Sequence, residues 1–445
     1  MNLKNGDCKH VVLFGTFNEN KYFLGDYRDK FDLVGFNANI VAHAPDGAAA
    51  FISRLTNKAF FIDPQTHAFQ QPIHTIMRKK DGQWELKKSI VTLADHYGSI
   101  IRENVGSNQI KAGSLKNNEI FEICSNTLSF QRNLIQESAE NLDVKEFLEF
   151  SQVELRPSFF IAPYFYMEPD KLAEELEDNI NFIAESRNSL DKDNSPSNKS
   201  LFAEIILHQE ILYDVNSTDK ILKKYTHCDA DGFLVWIDDF SEVSVSGSAL
   251  KKYKEFLYEL GKKGRPIIAL HGSYYSIALS GEKGLLAGVG HGIEYGESRP
   301  IVPVGGGVPL AKFYFPKFHK RIDYSPDAED ILKEKEWHLN PRMYFDNVCS
   351  CEMCKKIIQK DVEQNFHEYG KTKKSEKNGK LYPTPEAMDK SRKHYLNTKI
   401  NEYHRCRSVS ISGIISEIQN SHTIAEKISS HPFTHLQRWA DALST

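Results

Sequence analysis

A chain of 445 residues is long enough for one large barrel with an appended subdomain, or for two ordinary domains. Hydrophobic residues at 40% and charged residues at 26% describe an ordinary soluble globular protein, and no apolar run approaches the roughly 20 residues that cross a bilayer, so no membrane partner is expected. The formal net charge of −4 excludes a surface coated in positive charge, and any nucleic-acid contact has to come from a local basic surface.

The polar start of the chain runs straight into Val11-Val12-Leu13-Phe14 without the basic flank and cleavage site of a secretory signal, so a cytoplasmic location is expected. From there, short β-branched and aromatic runs recur at residues 11–14, 59–63, 158–164, 201–207, 232–239, 266–271 and 285–290. Each ends in polar or glycine-containing residues and gives way to a helix-like stretch, the pattern of repeated βα units. Seven or eight such strands, apolar along their length, within about 300 residues predict a closed α/β barrel, a (β/α)8 TIM barrel, rather than an open doubly wound sheet. The barrel is expected over residues 1–340, with a zinc-binding subdomain and C-terminal helices over 341–445.

The breaker-rich stretch 191–199, DKDNSPSNK, reads as an exposed loop within a βα connection. A second polar stretch, 369–380 (YGKTKKSEKNGK), is strongly basic and is either a solvated insertion or a phosphate-contacting loop. From about Pro385 the pattern is helical.

Seven cysteines are too few for a disulfide scaffold in a chain of this length, and three of them crowd into Cys349-Ser350-Cys351-Glu352-Met353-Cys354. A tight turn at that spacing aims three thiolates at one tetrahedral ion, and zinc suits their softness. The fourth ligand is expected to be a histidine from a following helix, with His367, His394 and His404 as candidates and His394 favoured. Such a closed set of four makes the zinc structural rather than a generator of hydroxide.

The C-x-C-x-x-C run with a helical histidine downstream resembles the zinc site of the tRNA-guanine transglycosylases. Three further segments match that family in the same order. Phe61-Ile62-Asp63-Pro64 looks like its strand ending in a catalytic aspartate, Leu201-Phe202-Ala203-Glu204-Ile205-Ile206 is similar to its next-but-one strand, and Asp231-Gly232-Phe233 looks like its Asp-Gly-aromatic strand start. There are departures. Where the family reads the guanine edge with an aspartate in Phe-Asp-Glu-Cys, this chain has Ile161-Ala162-Pro163-Tyr164. The family's Gly-Gly-Leu is replaced by Ile237-Asp238-Asp239, and in the strand that should carry the nucleophile the only acid is Glu294. With zinc site and barrel order kept, this divergence is similar to the DNA-guanine transglycosylase branch, which installs 7-deazaguanine bases of the preQ0 type. The resemblance implies a pentosyltransferase exchanging guanine in DNA for such a base, with the same exchange on tRNA (queuosine or archaeosine type) as the alternative. A zinc-containing barrel that binds nucleic acid without turnover is the reading from a different class. Partners would be DNA or tRNA, the free 7-deazaguanine base and, as a further candidate, a subunit that opens the duplex.

Base exchange proceeds when a carboxylate attacks the sugar C1′ and displaces the base while a second acid protonates it. Two carboxylates are therefore needed at the C-terminal mouth of the barrel. Asp63 is the first choice, because it ends an apolar strand and Pro64 stops that strand. Asp238 and Asp239 end another strand, and alternation lets only one of them point inward. Asp238 is the preferred partner of Asp63, with Glu294 as competitor. His271, His291 and Tyr164 sit at strand ends, where they line a base pocket or serve the fold. The glycine-rich stretch 304–309 would allow close backbone approach to a phosphate or base. Beyond it, Lys312, Lys317, His319, Lys320 and Arg321 interleave with Phe313, Tyr314, Phe315 and Phe318, which suits either a nucleic-acid backbone with a stacked base or an ordinary amphipathic strand pair.

Overall fold

The computed structural model describes residues 3–25, 27–55, 58–80, 82–105, 109–140, 155–193, 199–281, 283–293, 297–301, 310–376 and 379–445. Eight parallel strands form its centre: β1 Lys9–Phe14, β2 Leu33–Asn37, β3 Ala59–Asp63, β4 Phe160–Ile161, β5 Leu201–His208, β6 Gly232–Asp238, β7 Ile267–Ala269 and β8 Gly288–Gly292. Their spatial order is β3-β2-β1-β8-β7-β6-β5-β4, and a two-residue strand, Tyr166–Met167, pairs farther along β5. A hydrogen bond from Ser158 N–H to the Phe60 carbonyl, 2.8 Å, joins the approach to β4 onto β3 and nearly closes the ring. The fold is thus the α/β barrel that the alternating runs predict.

Strand alternation explains why these runs are apolar throughout. Phe61, Phe202, Leu234, Trp236, Ile268 and Leu270 fill the barrel interior. Their neighbours Phe60, Ile62, Ala203, Ile205, Val235 and Ile267 face the surrounding helices. The sequence reading missed β2, whose run Leu33-Val34-Gly35-Phe36-Asn37 is broken by a glycine. That glycine is a packing requirement: a Cβ on Gly35 would lie 2.6 Å from the Phe61 ring and 2.7 Å from Leu13, both filling the same interior. β4 is short, and Gln131 of helix α1 (Asn117–Glu140) substitutes for a neighbouring strand. Its amide donates to the Ile161 carbonyl at 2.8 Å and accepts from the Ile161 N–H at 2.9 Å.

After β8 the chain builds a lobe from the hairpin β9 Lys312–Phe315 and β10 Lys320–Asp323, short helices, and a second hairpin, β11 Thr372–Lys374 with β12 Leu381–Pro383. Helix α2, Pro385–Ser408, then returns to the barrel wall. There Tyr403 donates to the Val289 carbonyl at 2.7 Å and stacks on His10, with ring centroids 4.2 Å apart. A buried polar knot ties lobe to barrel. Lys399 of α2 is fully buried and pairs with Glu297 and with Glu402, the latter at 2.9 Å. Glu402 also accepts from Tyr314 at 2.7 Å and meets His319 Nδ1 at 2.6 Å. Burial opposes the Lys399 charge, but Glu297 and Glu402 outweigh it and raise its pKa. No helix among the described residues is long and apolar enough to cross a membrane.

Candidate active site

The carboxyl-terminal ends of β3, β5 and β6 converge with the segment after β4 into a cluster of buried acids and rings. Asp63 closes β3. Gln65, in the left-handed region at φ 52°, turns the chain so that its N–H donates to Asp63 Oδ1 at 2.9 Å. The Tyr164 hydroxyl donates to the same oxygen at 2.5 Å. Tyr164 is itself clamped, since Thr66 Oγ1 donates to its carbonyl at 2.6 Å and accepts from its N–H at 2.8 Å. His67 Nδ1 lies 3.1 Å from the Tyr164 hydroxyl, and its ring stacks on Tyr164 and meets Trp236 edge-on. His271 meets the other side of Trp236, with centroids 4.9 Å apart.

Burial raises the Asp63 pKa to about 6, against the lowering pull of Tyr164, Gln65 and the Arg299 guanidinium. Near neutrality this carboxyl therefore exchanges protons readily, as a general acid and base must. Burial, with the Arg299 charge, pulls His67 down to about 3, so its ring is neutral. Beneath them Glu204, midway along β5, points into the barrel and is 1% exposed. Burial first, then the Asp63 charge, drives its pKa well above the carboxylate range.

Asp238 is likewise buried, and both of its oxygens are engaged. Tyr166 donates to Oδ2 at 2.9 Å and the Ile301 N–H to Oδ1 at 2.6 Å. The same short segment reaches Asp63, because Arg299 places its charge beside that carboxyl and accepts a 3.0 Å bond from the Trp236 indole N–H at its carbonyl. One strap thus touches both acids. Asp239 follows in the left-handed region at φ 54° and is exposed, pointing away from the mouth.

A cavity of about 600 Å³ adjoins the cluster, lined among others by Glu242, Ser273, Lys312, Arg321, Arg392 and Tyr395. Glu297 and Ser298 also line it, so the strap stands between this cavity and the acids. Its volume is that of a ligand pocket for a group the size of a nucleoside.

Farther out, Cys349, Cys351, Cys354 and His394 are all buried, and their ligand atoms lie within 4.8 Å of one another. His394 Nδ1 is 3.4 Å from the sulfurs of Cys351 and Cys354, while its Nε2 is 2.7 Å from the Tyr314 carbonyl. That second contact needs the proton on Nε2, which leaves the Nδ1 lone pair facing the thiols. Phe313 stacks on the imidazole at 4.3 Å and fixes its plane. The four residues together could hold a metal ion. Of the other histidine candidates, His367 and His404 are exposed and stand apart from the cluster.

Two expectations need correction. His291 does not line the mouth. Alternation turns Gly290 and Gly292 inward, so His291 faces α2, with its Nε2 2.8 Å from His10 Nε2 and its ring against Tyr395. The basic and aromatic strip around 312–321 is not a stacking platform either, because Phe313, Tyr314, Phe315 and Phe318 are buried in the lobe core. Glu294, the stretch 304–309 and most of the loop 191–199 lie outside the described residues. The sequence reading also missed Glu204, Tyr166, His67 and Arg299. A signal existed for Glu204, a lone acid inside an otherwise apolar strand at a position that alternation turns inward. No family model matches the chain, and no curated protein matches it either.

Proposed function

We propose that this protein exchanges a base within a nucleic acid, replacing guanine in DNA by a 7-deazaguanine base of the preQ0 type. The observation that carries this reading is Asp63, a buried carboxyl at the barrel mouth whose pKa near 6 fits it to give a proton to a departing base and take one back from the incoming base. Asp238 is the preferred nucleophile for the sugar C1′, since two hydrogen bonds hold its oxygens in place. Trp236, His67, His271 and Tyr164 supply flat walls against which a flipped base can lie. Exposed Lys371, Lys373 and Lys374 on and beside β11 offer a local basic surface for phosphates. The Cys349, Cys351, Cys354 and His394 set suits zinc, which with four protein ligands has no open position and serves the fold. Reduced thiols of this kind fit a cytoplasmic enzyme.

The test is incorporation of radiolabelled guanine into duplex DNA, single-stranded DNA or unmodified tRNA by the purified protein. Label in DNA that disappears with Asp63→Ala is the expected result, and label in tRNA alone moves the substrate to the RNA alternative. No label in any polymer, with metal bound and the fold intact, would overturn base exchange in favour of a nucleic-acid-binding role.

A further inference from the structure

Glu204 is the one member of the mouth cluster that the proposed chemistry leaves without a task. It is 1% exposed, and among the described residues neither of its carboxyl oxygens has a hydrogen-bond partner. A buried, unpartnered carboxyl is costly as an anion and tolerable only as a neutral acid. Its charge would fall on Asp63, and the polar side chain nearest in effect is Tyr164. The Tyr164 hydroxyl spends its one proton on Asp63 at 2.5 Å, so its oxygen can only accept, from His67 at 3.1 Å and from one donor more.

We propose that Glu204 is held protonated and supplies that donor, so that Glu204, Tyr164 and Asp63 form a relay from the barrel interior to the mouth. Glu204 acts on Asp63 through Tyr164 and is a positioning residue. When Asp63 gives its proton away, the Tyr164 proton moves toward Asp63 and the Glu204 proton follows onto Tyr164. The negative charge is thereby shared with Glu204, and no proton enters or leaves the site. When the incoming base returns a proton to Asp63, the shifts reverse. Tyr164 stays a neutral phenol at rest, because burial and the neighbouring Asp63 and Glu204 charges raise its pKa. The other titratable groups acting on the pair are His67, Tyr97, Tyr225 and Arg299.

This inference builds on the proposed role of Asp63, but its test needs no substrate. Infrared difference spectra of the intact protein across pH should show two protonated-carboxyl signals, one titrating near 6 and lost in Asp63→Asn, the other persisting to pH 8 and lost in Glu204→Gln. The sign of the coupling decides the rest. A neutral donor polarises Tyr164 and stabilises the Asp63 anion, so Glu204→Gln should raise the Asp63 midpoint and Glu204→Leu should raise it further, by about half a pH unit or more. A downward shift would show that Glu204 is ionised and repels Asp63, and no shift would leave it a packing residue; either overturns the relay. Gln is isosteric and keeps the fold, and the persistent wild-type signal is read without any substitution. Failure of base exchange with the relay intact would reject the function and not the coupling.

Discussion

The metal cluster and the barrel mouth are both buried and polar, yet they treat their charges in opposite ways. Around the thiols the neighbours are complementary. The Cys351 N–H donates to Cys349, the Cys354 N–H to Cys351, the hydroxyls of Tyr344 and Tyr369 stand 3.2 Å from Cys354, and His394 is fixed by Tyr314. At the mouth two acids act on each other, share a single tyrosine, and one of them lacks any hydrogen-bond partner among the described residues. The first arrangement stabilises the fold, and the second keeps a locally unfavourable charge arrangement where proton transfer can use it.

The contrast breaks most visibly if the metal is removed. A chelator, or Cys354→Ser, should unfold the lobe over 310–384, because an apparent structural-zinc contribution is on the order of 10 kcal/mol. Hydrogen exchange should then rise at β9 and β10, while β5 and β6 stay protected. Equal protection in the lobe before and after chelation would show that the four ligands do not hold it together. A smaller loss is expected from Lys399→Met, which leaves Glu402 buried without its cation. Breaking a buried pair in this way costs about 3–5 kcal/mol, read as a lower urea midpoint at unchanged slope.

How much of each region can be read from sequence follows from how each is assembled. Three metal ligands lie within six residues, so their spacing alone announces a site, and only His394 had to be chosen from three histidines. The mouth gathers Asp63, Tyr164, Glu204, Asp238 and Arg299 from five distant segments, and strand ends reveal only Asp63, Tyr164 and Asp238. Alternation separates Asp238 from exposed Asp239, but it needs the strand phase, and the phase at β8 was read the wrong way for His291. Arg299 follows no regular element, so its approach to Asp63 is a tertiary fact without a local pattern. The barrel itself was legible from periodicity, apart from β2, where the packing need for Gly35 disguised the strand.

The smallest effect sharpens the comparison most, because its sign is opposite to the others. Asp63 has a folded pKa of about 6 against an ordinary value of 3.8, so between those values the native state binds more protons than the unfolded chain. Its favourable contribution is complete below about pH 4 and is lost as pH rises through 6, which leaves a penalty of about 3 kcal/mol at most above that window. Asn cannot ionise, so Asp63→Asn should match the wild type near pH 4 and become the more stable protein by pH 7, by about 1–3 kcal/mol in urea unfolding, while base exchange is lost. Substitutions at the metal cluster should cost stability at any pH where the metal binds. If Asp63→Asn instead follows the wild-type pH slope, the carboxyl is not strained by burial, and the division between a stabilising centre and a reactive one falls with it.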